Sequence, residues 1–226
     1  MNFDLIVIGS GPGGYVAAIR ASQLNMKVAV VERSELGGIC LNWGCIPTKA
    51  LLKSAQVFNY TKHAENYGIK IEGTISPDFP AVVQRSRTVA ETMSKGVQFL
   101  LKKNNVTVIE GFGKIQKDKT VVVTSTDGST TEYTANHIIL ATGARSRELS
   151  HIPQDGKKVI GYREALTLPT LPKSMVVMGS GAIGSEFAYF YATMGTAVTI
   201  VEYLPNLVPV EDEEISGHLG RAFRKA

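Results

Sequence analysis

Two cysteines, Cys40 and Cys45, are the only ones in the chain, and four residues separate them. In a secreted protein such a pair would be a small structural staple, whereas in a cytoplasmic protein it favours redox or metal chemistry. A zinc site needs about four nitrogen or sulfur ligands, and the four histidines are dispersed, with none at a zinc-finger spacing. We therefore predict no metal site and interpret the cysteines as a redox pair.

Cys45 precedes Ile46-Pro47, and proline is common in the first turn of a helix. This predicts a helix from Cys45 to about Tyr67 with the cysteines at its start. A helix N-terminus favours thiolate, which is the form that attacks disulfides. From the residues alone, a structural disulfide remains the alternative.

A glycine turn opens the chain and returns later with the same surroundings. An apolar strand at 3–8 leads into Gly9-Ser10-Gly11-Pro12-Gly13-Gly14, a helix to Leu24, and a strand that ends at Glu32. The copy has a strand at 175–178, a glycine turn at 179–184, a helix to Met194, and a strand that ends at Glu202. The repeat predicts two dinucleotide-binding units.

Each glycine of such a turn has its own purpose. The first permits the tight turn, the second lets the backbone approach a pyrophosphate, and the third lets the helix pack on the strand. The pyrophosphate lies at the helix N-terminus, and the acid accepts hydrogen bonds from ribose hydroxyls. A carboxylate at Glu202 repels a 2′-phosphate, so it favours NAD over NADP. A glycine-rich turn without a ligand is the alternative for either copy.

The remaining pattern predicts an α/β fold with two Rossmann-like units. A long amphipathic helix is expected over 80–104, followed by short strands at 106–109, 112–115, 120–124 and near 133–140, which we interpret as a β-meander inserted in the first unit. Few signals occur over 145–173 apart from a short helix near 162–166, and the last helix is expected over 211–226. We predict domains at 1–148 and 149–226, the second incomplete because it has only two strands.

Composition narrows the class of protein. Of 226 residues, 44% are hydrophobic and 19% charged, which is typical of a folded globular chain. The net charge of +4 is small and the basic residues are scattered, so we expect no nucleic-acid partner. No apolar run approaches the roughly 20 residues that span a bilayer, and no signal-peptide pattern precedes the first strand. We therefore expect a cytoplasmic protein with no membrane contact.

The segment Leu36–Lys49 contains the pattern GGxCxNxGCxPxK, with every element matched. It resembles the redox-active segment of the flavoprotein disulfide reductases, most closely the dihydrolipoyl dehydrogenase branch of that family. Ala141-Thr142-Gly143 and the segment 179–186 are similar to the same family. The resemblance covers all 226 residues, roughly the N-terminal half of such an enzyme.

The resemblance implies a role for each site residue. Cys40 is implied to engage the dithiol substrate, Cys45 to lie against the flavin, and Lys49 to sit near the flavin ring, paired with Glu186. The positions implied to hold FAD are Gly9, Gly11, Gly14, Glu32, Lys49, Gly113, Thr142 and Gly143. Those implied to hold NAD are Gly179, Gly181, Ile183, Gly184 and Glu202.

The implied reaction is oxidation of a dihydrolipoyl group by a Cys40–Cys45 disulfide, with electrons passing through FAD to NAD. The implied partners are the lipoyl domain of a 2-oxo acid dehydrogenase complex or glycine cleavage system, and a second copy in a homodimer. The alternatives are a glutathione or mercuric type of reductase, which commonly uses NADP, or a catalytically inert nucleotide-binding fragment.

The sequence departs from the family at the general base, a histidine–glutamate pair near the family's C-terminus that comes from the partner subunit. His218 does not match it. Because positioned acid–base catalysis contributes about 10²–10⁴-fold, we expect the 226 residues alone to oxidise dihydrolipoamide poorly. Activity of the purified chain near that of a full-length enzyme would contradict this expectation.

Overall fold

The computed structural model describes residues 2–225, which divide into two compact units. The first unit contains the chain up to Ile46 together with Thr88–Glu148. The second contains Pro47–Arg87 together with the chain from Leu149 onwards. The chain thus enters the second unit, returns to the first, and enters the second again after Glu148.

The helices and strands alternate over much of the chain. Their bounds are β1 Asn2–Ile8, α1 Pro12–Gln23, β2 Val28–Glu32, α2 Gly38–Trp43, α3 Cys45–Lys62, α4 Phe79–Lys103, β3 Thr107–Glu110, β4 Phe112–Ile115, β5 Val121–Thr124, β6 Thr130–Leu140, α5 Tyr162–Ala165, β7 Ser174–Met178, α6 Ala182–Met194, β8 Ala197–Val201 and α7 Glu213–Phe223. A 3₁₀ turn at Ala64–Tyr67 follows α3.

The first unit is built on a six-stranded sheet in the order β3-β2-β1-β6-β5-β4. β3, β2, β1 and β6 are parallel, as strands joined by helical crossovers must be. β1 and β2 consist almost wholly of buried residues, as expected of parallel strands covered on both faces. The predicted Rossmann-like α/β class is confirmed.

The predicted meander is wrong in one strand. β3 pairs in parallel with β2 and so belongs to the nucleotide-binding sheet. The antiparallel part consists of β4, β5 and the first residues of β6, where Tyr133 pairs with Val121. From Thr134 onwards β6 instead pairs in parallel with β1. The single strand β6 therefore belongs to both the parallel and the antiparallel part of the sheet. In the sequence, its apolar pattern is interrupted in the middle.

Two helical predictions also need correction. The segment Gly38–Trp43 forms the separate helix α2, which the glycines on either side of it conceal in the sequence. The helix expected to reach Tyr67 ends at Lys62, because the backbone at His63 leaves the helical region. Both changes come from local backbone geometry that apolar periodicity does not report.

The second unit repeats the strand–turn–helix–strand arrangement. β7 and β8 are parallel and form a two-stranded sheet, and α6 lies between them in sequence. Tyr191 of α6 is fully buried and donates a hydrogen bond to the carbonyl of Ala165 at 2.5 Å. Burial raises the pKa of this phenol above its usual range. This bond and the ring contacts of Tyr191 with Phe190 and Phe79 fix α6 within the unit.

Candidate active site

The first glycines of the two turns have nearly the same conformation. Gly9 has φ of 100° and Gly179 has φ of 95°, in the left-handed region that favours glycine. Their amides donate to Val31 and Val201 respectively, each at 2.8 Å. The turn is thereby fixed to the end of the neighbouring strand in both units.

The third glycines are required by close packing. A Cβ on Gly14 would lie 1.9 Å from the carbonyl oxygen of Gly9, and one on Gly184 would lie 2.1 Å from that of Gly179. No side chain fits at such distances. The helix therefore starts directly against its own turn, as the sequence predicts.

The second glycines have no such explanation within the protein. A Cβ on Gly11 or Gly181 would meet no atom within 4 Å, and both residues have ordinary negative φ. They precede α1 and α6, and no side chain caps either helix. Uncapped amides beside open space form an anion site. The geometry thus fits the pyrophosphate of a dinucleotide at each turn.

The acids at the strand ends face the turns. Glu32 Oε2 accepts hydrogen bonds from the amide and hydroxyl of Ser10 at 2.9 and 2.7 Å. Glu202 Oε2 accepts the same two bonds from Ser180 at 2.8 and 2.7 Å. Ser10 and Ser180 are not among the site residues predicted from the sequence. A signal was present, since a serine follows the first glycine in both turns.

The hydrogen bonds lower the pKa of Glu202 to about 2, through the amide of Leu204 and the donors of Ser180. Because the folded-state pKa lies below the ordinary 4.5, ionised Glu202 stabilises the fold above that pH, and the contribution is lost as pH falls towards 2.

We predict that Glu202 stays ionised at pH 4 in a carbon-detected NMR titration of the carboxyl groups. Ser180→Ala should raise the midpoint. A wild-type midpoint above 4 would contradict the described contacts.

Of the other residues predicted to hold FAD, Gly113, Thr142 and Gly143 lie in the first unit and Lys49 lies in the second. A Cβ on Gly113 in β4 would lie 3.1 Å from Val31 and 3.2 Å from Ile8, so packing alone favours glycine there. A Cβ on Gly9 would lie 3.2 Å from Cα of Thr142, which places Thr142 beside the first turn. Gly143 has φ of 77° and open space around its Cα. Their contacts with FAD stay a prediction.

The cysteines lie on two successive helices and not at the start of one. Cys40 lies within α2, is half-buried, and packs against the core of the first unit. Cys45 is exposed and is the first residue of α3, after the turn at Gly44. The half-buried Cys40 and the exposed Cys45 thus have different surroundings.

The cysteine segment is anchored next to the first glycine turn. The amide of Gly37 donates to the carbonyl of Ser10 at 3.1 Å. A Cβ on Gly38 would lie 2.7 Å from Cα of Gly11. The buried amide of Asn42 donates to Leu36 and Gly38 at 2.9 and 3.0 Å and holds α2 to its own entry loop. The structure therefore places the cysteine segment against the predicted flavin turn.

Lys49 and Glu186 meet in the second unit, although 137 positions separate them. Lys49 Nζ lies 2.6 Å from Glu186 Oε1, and the two side chains are 61% and 28% exposed. Lys49 follows Cys45 by one turn of α3. The pair lies at a cavity of about 480 Å³, whose lining also includes Leu52, Lys53, Gln56, Ser185, Tyr189, Leu219 and Phe223. Ile183, predicted to contact NAD, is 63% exposed on α6.

Two kinds of feature are absent from residues 2–225. None of the helices in this range is both long enough and apolar enough to cross a membrane. Within the same range, no three side chains among histidine, cysteine, aspartate and glutamate cluster as metal ligands.

Comparison with known proteins gives consistent matches over the whole length. The profile of the family described as pyridine nucleotide-disulphide oxidoreductase matches residues 3–226. A dihydrolipoyl dehydrogenase of Rhizobium etli is 53% identical over 238 residues, covering 99% of this chain and 50% of that protein. One of Zymomonas mobilis is 52% identical and is 48% covered, for 99% of this chain. The chain spans about half the length of the curated relatives it matches.

Solved structures agree with the sequence matches. The crystal structure of LpdA from Mycobacterium tuberculosis superposes with a TM-score of 0.88 at 29% identity, over 98% of this chain and 49% of that one. The Cu(II) complex of the HOCl-induced flavoprotein disulfide reductase RclA from Escherichia coli superposes with a TM-score of 0.83 at 27% identity, over 100% and 48%.

Proposed function

The chain belongs to the pyridine nucleotide-disulphide oxidoreductase family, and on that premise we propose that it supplies the dithiol centre, the flavin turn and the pyridine nucleotide turn of a dihydrolipoyl dehydrogenase. In this function a dihydrolipoyl group is oxidised to the cyclic disulfide, and NAD is reduced. Enzymes of this kind use FAD and NAD.

One observation carries the proposal: Cys40 and Cys45 lie in a segment packed against a glycine turn whose second glycine faces open space. This arrangement would hold a dithiol and a dinucleotide side by side. A metal-binding or purely structural role for the cysteines would not explain why they lie beside an open dinucleotide turn. The names of the relatives, at half identity over the whole chain, support the same function.

We assign the oxidation of the dihydrolipoyl group to Cys40 and Cys45, through two successive thiol–disulfide exchanges. A dihydrolipoyl thiolate attacks the Cys40 sulfur of a Cys40–Cys45 disulfide, and the S–S bond breaks with its electron pair left on Cys45. The second substrate thiol then displaces Cys40, so the substrate leaves as a disulfide and both cysteines become reduced. FAD bound at the first glycine turn would supply the two-electron chemistry that connects this dithiol to NAD.

The cofactors divide between the two turns. We assign FAD to residues 1–148, through Gly9, Gly11, Gly14 and Glu32, with Gly113, Thr142 and Gly143 beside them. We assign NAD to residues 149–226, through Gly179, Gly181, Ile183, Gly184 and Glu202. Lys49, paired with Glu186, is assigned to the flavin ring. The ionised carboxylate of Glu202 supports NAD over NADP, because a 2′-phosphate would meet like charge.

The partners follow from this reaction. We propose a lipoyl domain of a 2-oxo acid dehydrogenase complex or glycine cleavage system as the substrate carrier, and a homodimer as the working form. A cytoplasmic location accords with two cysteines that must cycle between thiol and disulfide, since reducing compartments keep such pairs from permanent oxidation.

The direct test uses the purified protein at the full length its gene encodes. We expect yellow flavin absorbance, NADH formation on addition of dihydrolipoamide, and a kcat/KM for NAD at least about tenfold above that for NADP, equivalent to about 1.4 kcal/mol. Reduction of glutathione disulfide with NADPH would instead support a glutathione-type reductase. A colourless protein that cannot be reconstituted with FAD would contradict the flavin assignment.

A second prediction concerns the Lys49–Glu186 pair. Because both side chains are partly exposed, Glu186→Gln should change the free energy of unfolding by no more than about 1 kcal/mol. The rate should fall by at least about tenfold, because a charge placed beside the reacting group is lost. Urea unfolding and steady-state kinetics measure the two effects. Glu91→Gln removes an equally short ion pair with Lys95 on α4 and serves as the matched control. An unchanged rate in Glu186→Gln would remove the pair from the site.

A further inference from the structure

The carboxylate at the end of β2 already has a full set of hydrogen-bond donors. Glu32 Oε2 accepts from the amide and hydroxyl of Ser10, and Oε1 accepts from the amides of Arg33 and Ser34 at 2.9 and 3.0 Å. A carboxylate offers about four lone-pair positions. Each of them is therefore occupied before any ribose approaches.

The second turn has the same arrangement. Glu202 Oε2 accepts from the amide and hydroxyl of Ser180, and Oε1 accepts from the amide of Leu204 at 3.0 Å. In both turns the amide and the hydroxyl of a serine therefore occupy both lone-pair positions of Oε2.

A ribose diol that donates to both oxygens of either acid must displace one of the two donors at Oε2. The amides are fixed by the turn and by the strand end, whereas a serine hydroxyl turns about a single side-chain bond. We infer that the hydroxyls of Ser10 and Ser180 occupy the position that a ribose hydroxyl takes, and that each turns away when its dinucleotide binds. The inference deepens the proposed function and rests on it.

This exchange opposes dinucleotide binding in the wild-type protein. Ser180 is fully buried, so turning its hydroxyl away from the carboxylate leaves a buried polar group without that acceptor, which is unfavourable. In Ser180→Ala that penalty is absent. The amides of Ser180 and Leu204 still orient the carboxylate. Alanine at this position should therefore tighten NAD binding, whereas a merely structural serine would weaken it when removed.

The test is calorimetric titration of the purified full-length protein with NAD and with an NAD analogue whose adenosine ribose lacks both hydroxyls. We expect Ser180→Ala to lower the Kd for NAD by about threefold to tenfold, the range of one net hydrogen bond. The Kd for the analogue should stay unchanged. Ser180→Cys, with a weaker donor of similar size, should lie between wild type and alanine.

The controls separate this inference from the function on which it rests. Ser174→Ala makes the same change at an exposed position of β7 and should leave both Kd values unchanged. Equal or weaker NAD binding in both Ser180 variants, with an unchanged Tm, would overturn the inference alone. A wild-type protein that does not bind NAD would overturn both.

Discussion

Cys45→Ser is expected to lower the rate of dihydrolipoamide-dependent NAD reduction by at least about 10³-fold, because no dithiol can then form or donate electrons. Cys45 is exposed at the first residue of α3, so serine should fit there without disturbing the core. The Tm should therefore change little. Steady-state NADH formation and thermal unfolding measure the two effects.

Cys40→Ser provides the matched comparison. It should lower the rate as strongly, but Cys40 packs against the core of the first unit, so its Tm should fall more than that of Cys45→Ser. The thiol left in each variant should also react differently. Alkylation of the exposed Cys45 in Cys40→Ser should be faster than alkylation of Cys40 in Cys45→Ser. More than a tenth of the wild-type rate in either variant would contradict a two-cysteine mechanism.

Gly14→Ala is expected to destabilise the first unit by about 1–3 kcal/mol or more, as overpacking does. The new Cβ would lie 1.9 Å from the carbonyl oxygen of Gly9, so α1 must move away from its turn. Because that turn is the predicted pyrophosphate site, FAD should also be lost. Urea unfolding and flavin absorbance after purification measure stability and binding.

Gly13→Ala is the control in the same helix. Its Cβ would meet no atom within 4 Å, and alanine favours a helix over glycine by roughly 1 kcal/mol. The protein should be as stable as wild type or slightly more stable. Gly11→Ala should keep the fold and weaken FAD binding, because only the approach of a ligand requires that glycine. Equal stability of Gly14→Ala and Gly13→Ala would contradict the packing described for the turn.

The sequence predicted the parts of the fold that follow from strong local chemistry. Glycines at fixed spacing and an acid at the end of the next strand have a meaning that the residues alone convey, and both turns form as expected. The contact between Lys49 and Glu186 was expected only through resemblance, because nothing local predicts a contact across 137 positions. A sequence motif therefore predicts its own local chemistry better than it predicts which distant residues it contacts.

The remaining features depend on information that periodicity lacks. Two glycines with left-handed φ, Gly37 and Gly38, stand at the entry of α2. In the sequence, glycines in this position indicate a loop and not a helix. β6 changes its pairing between Tyr133 and Thr134, a switch that depends on which strands lie beside it. The grouping of Pro47–Arg87 with the second unit is a tertiary contact without a local signal. The repeat shows a serine after the first glycine of each turn, but only the structure shows that this serine contacts the acid.

In the proposed function, Cys40 and Cys45 form one redox couple driven by a dithiol substrate. The most direct measurement is mass spectrometry of the alkylated protein, after mild oxidation and then after addition of stoichiometric dihydrolipoamide without NAD. We expect that neither cysteine is labelled after oxidation and that both are labelled after the dithiol is added, with one lipoamide formed per protein. Labelling of both cysteines before the dithiol is added, or of neither afterwards, would contradict it.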